Sequence, residues 1–275
     1  MAQLLVPFDF SENAQLALDQ ALWIAHKGNV SVEVLHITNK AVCREYPSSW
    51  NCDETAIETL RQKLEAVIEE RLKALNLNVQ RQVSATVKEE ALVTGGITSH
   101  MMQQEVKLLV MGTHGSTGLY DKVFGSNTSV LVNHAVFPVL TVPHGWTPVA
   151  IEHCVAAVKL SKLNARAGTI AGWGQFFNCT VEAVQFSIIP EAEKELAAQS
   201  SIAGIPCRMI KDAIETTLAD DLLQFNAPLQ NTILLLFTRD KTFFEKIFSP
   251  NLSYKLSGSI AIPMLSQPID NDAKA

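Results

Sequence analysis

The sequence is poor in the residues that define several classes of protein. Lysine and arginine number 22 against 28 aspartate and glutamate residues, a net charge of −6, and no basic stripe is evident. Nucleic acid is therefore disfavoured as a partner. Histidine, aspartate and glutamate form no tight cluster, so we expect no dedicated metal site. The five cysteines are odd in number and include no C-x-x-C pair, which argues against a disulfide scaffold or a zinc site. They are Cys43, Cys52, Cys154, Cys179 and Cys207.

Two kinds of targeting segment are also missing. The chain begins MAQLLVPFD, without the basic region that opens a secretory signal, and it contains no apolar run long enough to cross a bilayer. We therefore expect a cytoplasmic protein with no membrane partner.

What the chain has is length, apolar residues and an internal repeat. Its 275 residues, 47% of them hydrophobic, suffice for two α/β domains. A repeat with an offset of about 150 residues that later shrinks to about 125 indicates a shorter second copy. Its matches are Trp23 with Trp173, Asn29–Glu33 with Asn178–Glu182, and Phe137–Leu140 with Ile262–Leu265. We predict domains at 1–146 and 147–275, joined by the linker Gly145–Pro148.

Each copy alternates short apolar runs with amphipathic stretches, a pattern typical of parallel strands connected by right-handed helical crossovers. The predicted strands of the first copy are 3–7, 30–37, 79–86, 107–111 and 138–142. The predicted helices are 13–27, 55–75, 90–104 and 127–134. The fold class is therefore α/β.

A glycine-bearing loop lies between the fourth predicted strand and the helix that follows it. Its sequence, MGTHGSTGLYDKVFGS at 111–126, has the pattern G-x2-G-x9-G-S. Glycines let backbone N–H groups approach an anion, and a helix start adds unpaired donors. Neither the dinucleotide fingerprint nor the P-loop pattern is present. The loop is a candidate phosphate cradle of a third kind.

Together with its flanking runs, this motif resembles that of nucleotide-binding members of the universal stress protein family. The runs that carry the resemblance are QLLVPFDFSENAQLAL at 3–18, VLHI at 34–37 and VFPVLTVP at 136–143. The resemblance covers about residues 1–145. It implies two tandem Rossmann-like domains of the adenine nucleotide α-hydrolase-like kind, each with a five-stranded parallel sheet flanked by helices. It also implies ATP as the ligand, with Mg²⁺ arriving on the phosphates.

The resemblance also implies the residues of the site. They are Pro7, Asp9, Ile37, Met111, Gly112, Gly115, Ser116, Gly125, Ser126 and Asn127. Asp9 would lie near the adenine or ribose, Ile37 would contact adenine through its backbone, and the glycines and Ser126 would meet the phosphates. An alternative role for Asp9 is to cap the first helix, which Ser11 could do equally well.

The second copy retains the pattern of strands but not the motif. Lys159 aligns with Asp9, the stretch 237–250 contains no glycine, and Pro250 replaces Ser126, so a backbone donor is lost. We therefore expect a structural or regulatory partner domain. The alternative is that Lys159, Arg239 and Lys241 hold some other anion.

Three functions fit these observations. The favoured one is a nucleotide-dependent stress-response or signalling protein with little or no catalysis. The alternatives are a slow ATP hydrolase or another adenine-nucleotide enzyme, and an interaction scaffold without a nucleotide. His114 has no sequence-local partner to orient it as a general base, so we name no catalytic residue.

The last predicted strand of each copy would leave an exposed apolar edge, which proteins normally pair or cover. The resemblance implies that such edges pair, so the two copies would form an intramolecular pseudo-dimer. A homodimer of chains is possible, and a protein partner is unidentified.

Overall fold

The computed structural model describes eight stretches of the chain: residues 2–38, 54–79, 82–113, 126–134, 137–186, 200–210, 231–238 and 262–269. These fall into two compact units, one up to Pro148 and the other from Val149 onward. Within these stretches no helix is long and apolar enough to cross a membrane. The domain bounds, the cytoplasmic location and the pseudo-dimer remain predictions.

The first unit is a parallel sheet with helices on its faces. Its strands are β1 (Ala2–Pro7), β2 (Val30–Thr38), β3 (Val83–Glu89), β4 (Val106–Gly112) and β5 (Val139–Val142). Its helices are α1 (Glu12–Lys27), α2 (Glu54–Leu75), α3 (Val93–Gln103) and α4 (Ser126–His134). The strand order is β3-β2-β1-β4-β5, and all four pairings are parallel. The chain reverses its direction of winding between β1 and β4, which is where such sheets open a ligand crevice.

These elements form for the reasons that the sequence suggested. The central strands β1 and β4 bury continuous apolar runs, and α1 buries one face against β4, β2, β1 and β5. The α1 helix begins after the N-cap Ser11 and ends at Gly28. The prediction that β3 begins at 79 was wrong, since the strand begins at Val83. Leu77 and Val79 are buried after the left-handed Asn76, so they close the end of α2 rather than pair in the sheet.

The second unit repeats this topology with one addition. Its strands are β6 (His153–Ala157), β7 (Thr180–Phe186), β8 (Ser201–Ile202), β9 (Ile205–Ile210), β10 (Thr232–Phe237) and β11 (Met264–Gln267), and its α-helix in the described residues is α5 (Leu163–Phe177). Their order is β11-β10-β6-β7-β9-β8. Five strands are parallel, as predicted. The sixth, β8, pairs antiparallel with β9 through the two-residue turn Ala203-Gly204, both with positive φ, as a tight hairpin requires.

A buried carboxylate holds the inner face of β2 against its neighbours. Glu33 is 7% exposed, and it accepts hydrogen bonds from Gln3 on β1 (3.0 Å), Thr86 on β3 (2.6 Å) and His100 Nε2 on α3 (3.0 Å). A buried charge needs such donors, because an unpaired one costs several kcal/mol. The network therefore fixes α3 over three adjacent strands.

A second buried carboxylate ties α1 to α2. Asp19 has 4% of its side chain exposed, and both of its oxygens accept hydrogen bonds from the Arg71 guanidinium, at 2.8 Å from Nε and 2.5 Å from Nη2. The hydrogen bond to this carboxylate raises the pKa of Arg71 above its usual value, so the guanidinium stays charged. This pairing across two helices joins elements 52 residues apart in the chain.

We predict that Arg71→Met lowers the free energy of unfolding by about 2–4 kcal/mol, because it leaves the Asp19 carboxylate buried without a partner. Urea denaturation followed by circular dichroism measures this change.

The same helix supplies a matched control. Arg61 bridges Glu58 (2.6 Å) and Glu65 (2.7 Å), but all three side chains are more than two-fifths exposed. Exposed pairs contribute little, so Arg61→Met should leave the unfolding midpoint almost unchanged. Equal effects of the two substitutions would contradict a special role for the buried pair.

Candidate functional site

The carboxyl end of β1 presents an acidic side chain to solvent. Phe8 continues the strand by donating its N–H to the Leu35 carbonyl at 2.8 Å, and the chain then turns through Phe10, which has a φ of 63°. Asp9 lies in this turn and is exposed. Its Oδ1 accepts hydrogen bonds from the N–H of Ser11 at 3.1 Å and from its hydroxyl at 2.5 Å.

The cap of α1 is Ser11 and not Asp9. The Ser11 hydroxyl oxygen accepts the N–H of Ala14 at 3.2 Å, the hydrogen bond that defines an N-cap. Asp9 orients this hydroxyl from the other side. The alternative role weighed for Asp9 from the sequence is thus filled by its neighbour, and the Asp9 carboxylate stands at the strand end on the exposed side of the turn.

The end of β2 lies beside this turn. Pro7, the last residue of β1, pairs with Leu35, which places Ile37 just beyond it on the neighbouring strand. The Ile37 side chain points toward α3, since a Cβ added at Gly96 would lie 3.0 Å from its Cδ1. The backbone contact of Ile37 with adenine that the resemblance implies stays a prediction.

The end of β4 touches both α1 and α4. A Cβ at Gly112 would lie 2.5 Å from the Asn13 carbonyl oxygen and 2.8 Å from its carbonyl carbon, distances that no side chain tolerates. Met111 precedes it and is buried. On the other side, the Thr128 hydroxyl donates to the Gly112 carbonyl at 3.0 Å. This bond holds the first turn of α4, with Ser126 and the exposed Asn127, at the carboxyl end of β4.

The described residues thus bring two groups of predicted site residues to one edge of the sheet. Pro7, Asp9 and Ile37 meet through the pairing of β1 with β2, and Met111, Gly112, Ser126 and Asn127 meet at the end of β4. Since β1 pairs with β4, the two groups are neighbours. Gly115, Ser116 and Gly125 lie outside the described residues, as does His114.

Thr128 was missed from the sequence. The sequence shows only that three polar residues in succession, at 126–128, follow a glycine. Hydrogen bonds from a helix's second or third residue back to a strand end are not a pattern that spacing reveals.

In the second unit, an aromatic ring occupies the position of Gly112. Gly112 pairs with Val142 at the end of β4, and Phe237 pairs with Gln267 at the end of β10. The following residues also correspond, since Thr113 N–H donates to the Val142 carbonyl and Thr238 N–H to the Gln267 carbonyl. The guanidinium carbon of Arg166, a residue 8% exposed, lies 4.3 Å from the centre of the Phe237 ring. The Phe237 ring and the Arg166 guanidinium above it thus lie at the position where, in the first unit, Gly112 approaches the backbone of Asn13.

The start of α5 differs from the start of α1 in the first unit. It has no side-chain cap, and a 3-10 turn at Leu160–Lys162 leads into it. The Leu160 N–H donates instead to the buried Gln185 at 2.7 Å. Lys159 is exposed at the position that aligns with Asp9, whereas Arg239 and Lys241 lie outside the described residues.

Two buried or half-buried thiols of the second unit have raised pKa values. Burial raises the pKa of Cys154 far above its usual value and that of Cys179 to about 11, so both stay protonated near neutral pH. Cys43 and Cys52 lie outside the described residues. Across the residues that are described, no group of three or more histidine, cysteine, aspartate or glutamate side chains could hold a metal ion.

Comparison with known proteins identifies the class to which this fold and site belong. The model of the universal stress protein family matches residues 1–143, more than half of the chain, and the chain belongs to this family. Universal stress protein YxiE of Bacillus subtilis is 26% identical over 147 residues, which are 51% of this chain and 97% of the relative. Universal stress protein A homolog 1 of Coxiella burnetii is 30% identical over 148 residues, or 50% of this chain and 94% of the relative.

A solved structure shares the fold across nearly the whole chain. The crystal structure of a universal stress protein from Archaeoglobus fulgidus matches with a TM-score of 0.63 and 16% identity, covering 98% of this chain and 97% of the other. This likeness confirms the predicted α/β class with mostly parallel strands.

We predict that Gly112→Ala destabilises the first unit by about 1–3 kcal/mol, because its Cβ would collide with the backbone of Asn13. Thermal unfolding measures this loss.

Gly172→Ala is the matched control, since a Cβ on this exposed position of α5 would meet nothing within 4 Å. Alanine there should stabilise by about 0.5–1 kcal/mol through helix propensity. A neutral Gly112→Ala variant would contradict the close approach.

Proposed function

We propose that the first unit binds ATP at the carboxyl edge of its sheet and that the protein acts as a nucleotide-dependent stress-response or signalling protein with little or no catalysis. The observation that carries this proposal is the hydrogen bond from Thr128 to the Gly112 carbonyl. It joins the start of α4 to the strand end from which the glycine-bearing loop departs.

The described residues fit a nucleotide in two respects. The first turn of α4 offers backbone N–H groups that have no partner within the helix, together with the positive end of its dipole, both of which favour phosphate. One strand away, the exposed Asp9 offers a carboxylate that accepts hydrogen bonds from sugar hydroxyls or an amino group. Mg²⁺ would be held by the phosphates, which is how such ions are usually bound when few carboxylates are present.

The second unit supports the proposal by contrast. At the position of Gly112 it carries Phe237, covered by Arg166, and at the position of Asp9 it carries Lys159. The Phe237 ring leaves no room for the close approach that Gly112 makes, and Lys159 lacks the hydrogen-bond acceptor that the Asp9 carboxylate provides. We therefore propose one nucleotide site per chain, with the second unit as a structural or regulatory partner.

A calorimetric titration of the full chain with Mg-ATP tests this function. We expect a stoichiometry of about one and, at 100 times the Kd, a stabilisation of about 2.7 kcal/mol against unfolding. Gly125→Val should abolish binding, because a branched side chain blocks the approach of phosphate. A stoichiometry of two would contradict the single site. Absence of heat and of stabilisation would leave the interaction scaffold as the better hypothesis.

Asp9→Asn and Ser11→Ala separate the ligand role from the helix cap. Asp9→Asn keeps an acceptor for Ser11 but loses the charge, so ATP affinity should fall about tenfold with little change in stability. Ser11→Ala removes the cap and should cost about 1 kcal/mol of stability. Titration and thermal unfolding of both variants give the two readouts.

A single-turnover assay run alongside tests for hydrolysis of ATP. Rapid turnover that Asp9→Ala abolishes would favour the enzyme instead.

A further inference from the structure

His36 lies at the end of β2 beside the Asp9 turn, and its ring has a defined protonation pattern. Its Nδ1 is 2.7 Å from the Phe8 carbonyl oxygen. A carbonyl only accepts, so Nδ1 must carry the hydrogen. In the neutral imidazole the other nitrogen, Nε2, then has a free lone pair and acts as an acceptor.

The ring is also fixed in orientation. Phe10 packs edge-to-face on His36 with a centroid distance of 5.1 Å and on Phe8 at 5.3 Å. Phe10 holds a φ of 63°, a conformation that a bulky residue adopts only when its surroundings favour it. Among the described residues Nε2 has no hydrogen-bond partner, and His36 is half-buried. Only one of the two ring nitrogens is therefore paired within the described residues.

This arrangement presents a fixed imidazole ring with one acceptor at the end of β2, on the side of β1 away from the start of α4. The end of β2 is separated from the end of β4 by β1, which is two strand spacings or about 10 Å. A nucleotide whose phosphates lie at the start of α4 would span such a distance with its base. Aromatic rings stack on bases, and an acceptor pairs with an amino group.

We propose that His36 is a specificity-determining residue, with Nε2 accepting a hydrogen bond from the exocyclic amino group of the base. This inference rests on the proposed nucleotide site. The chemistry selects an amino-bearing purine and disfavours one that lacks the amino group, because the acceptor would then lose its water without gaining a partner.

The probes are ATP and purine riboside triphosphate, which differs from ATP only by lacking the 6-amino group. Calorimetry of the full wild-type chain should show ATP bound about tenfold more tightly. In His36→Asn the amide nitrogen takes the place of Nδ1 and can still donate to Phe8, but no atom remains at Nε2. This variant should bind the two nucleotides within about twofold of each other, through weaker binding of ATP alone.

His36→Gln is the complementary variant. Its amide oxygen reaches the position of Nε2 as an acceptor, while the bond to Phe8 is lost, so a several-fold preference for ATP should return. Thermal unfolding of each variant monitors the fold independently of binding. If His36 served only to satisfy Phe8, His36→Asn would keep the tenfold preference, and that result would overturn the inference.

The outcome distinguishes this inference from the proposed function itself. Wild-type protein that binds ATP and purine riboside triphosphate equally well would retain the nucleotide site and refute the role of His36. Wild-type protein that binds neither nucleotide would refute both.

Discussion

The first unit depends on a backbone contact that only glycine allows. The end of β4 and the first turn of α1 approach so closely at Gly112 and Asn13 that a Cβ would lie 2.5 Å from a carbonyl oxygen. The same strand end accepts the Thr128 hydroxyl at the Gly112 carbonyl. The first turns of α1 and α4 are therefore both packed against the carboxyl end of β4.

The second unit shows how the same topology is built without that contact. Phe237 fills the space at the corresponding register, and Arg166 covers its ring, a packing that contributes about 1–2 kcal/mol when partly desolvated. The helix then starts through a 3-10 turn and without a side-chain cap, and the buried Gln185 accepts the Leu160 N–H that opens this turn. The strands and their order are unaffected, because the apolar runs that pair in the sheet lie behind this edge.

Much of the fold was predictable, because its elements are strongly patterned. Continuous apolar runs locate β1 and β4, apolar residues at alternate positions locate β2, and the helical period locates α1 and α2. The predicted start of β3 was wrong because Val79, although apolar and buried, packs at the end of a helix and not in the sheet. In the candidate site, the position of Gly112 at a strand end was predictable from its order along the chain. The contacts of Thr128, His36 and Gln185 were not, since each reaches across elements to a carbonyl or N–H that no local spacing encodes.

Core stability and the residues of the candidate site lie in different parts of the same elements. The middle of α1 is fixed by the buried pair of Asp19 with Arg71, and the middle of β2 by the Glu33 network, both well away from the strand ends. The ends of α1 and β2 carry Ser11, Asp9 and His36, which are held by short polar contacts and contribute little to the core. The second unit keeps the strand order with phenylalanine at the position of Gly112 and lysine at the position of Asp9. The two units differ at the ends of their strands and keep the same strand order, as expected when the residues that stabilise the core lie away from those ends.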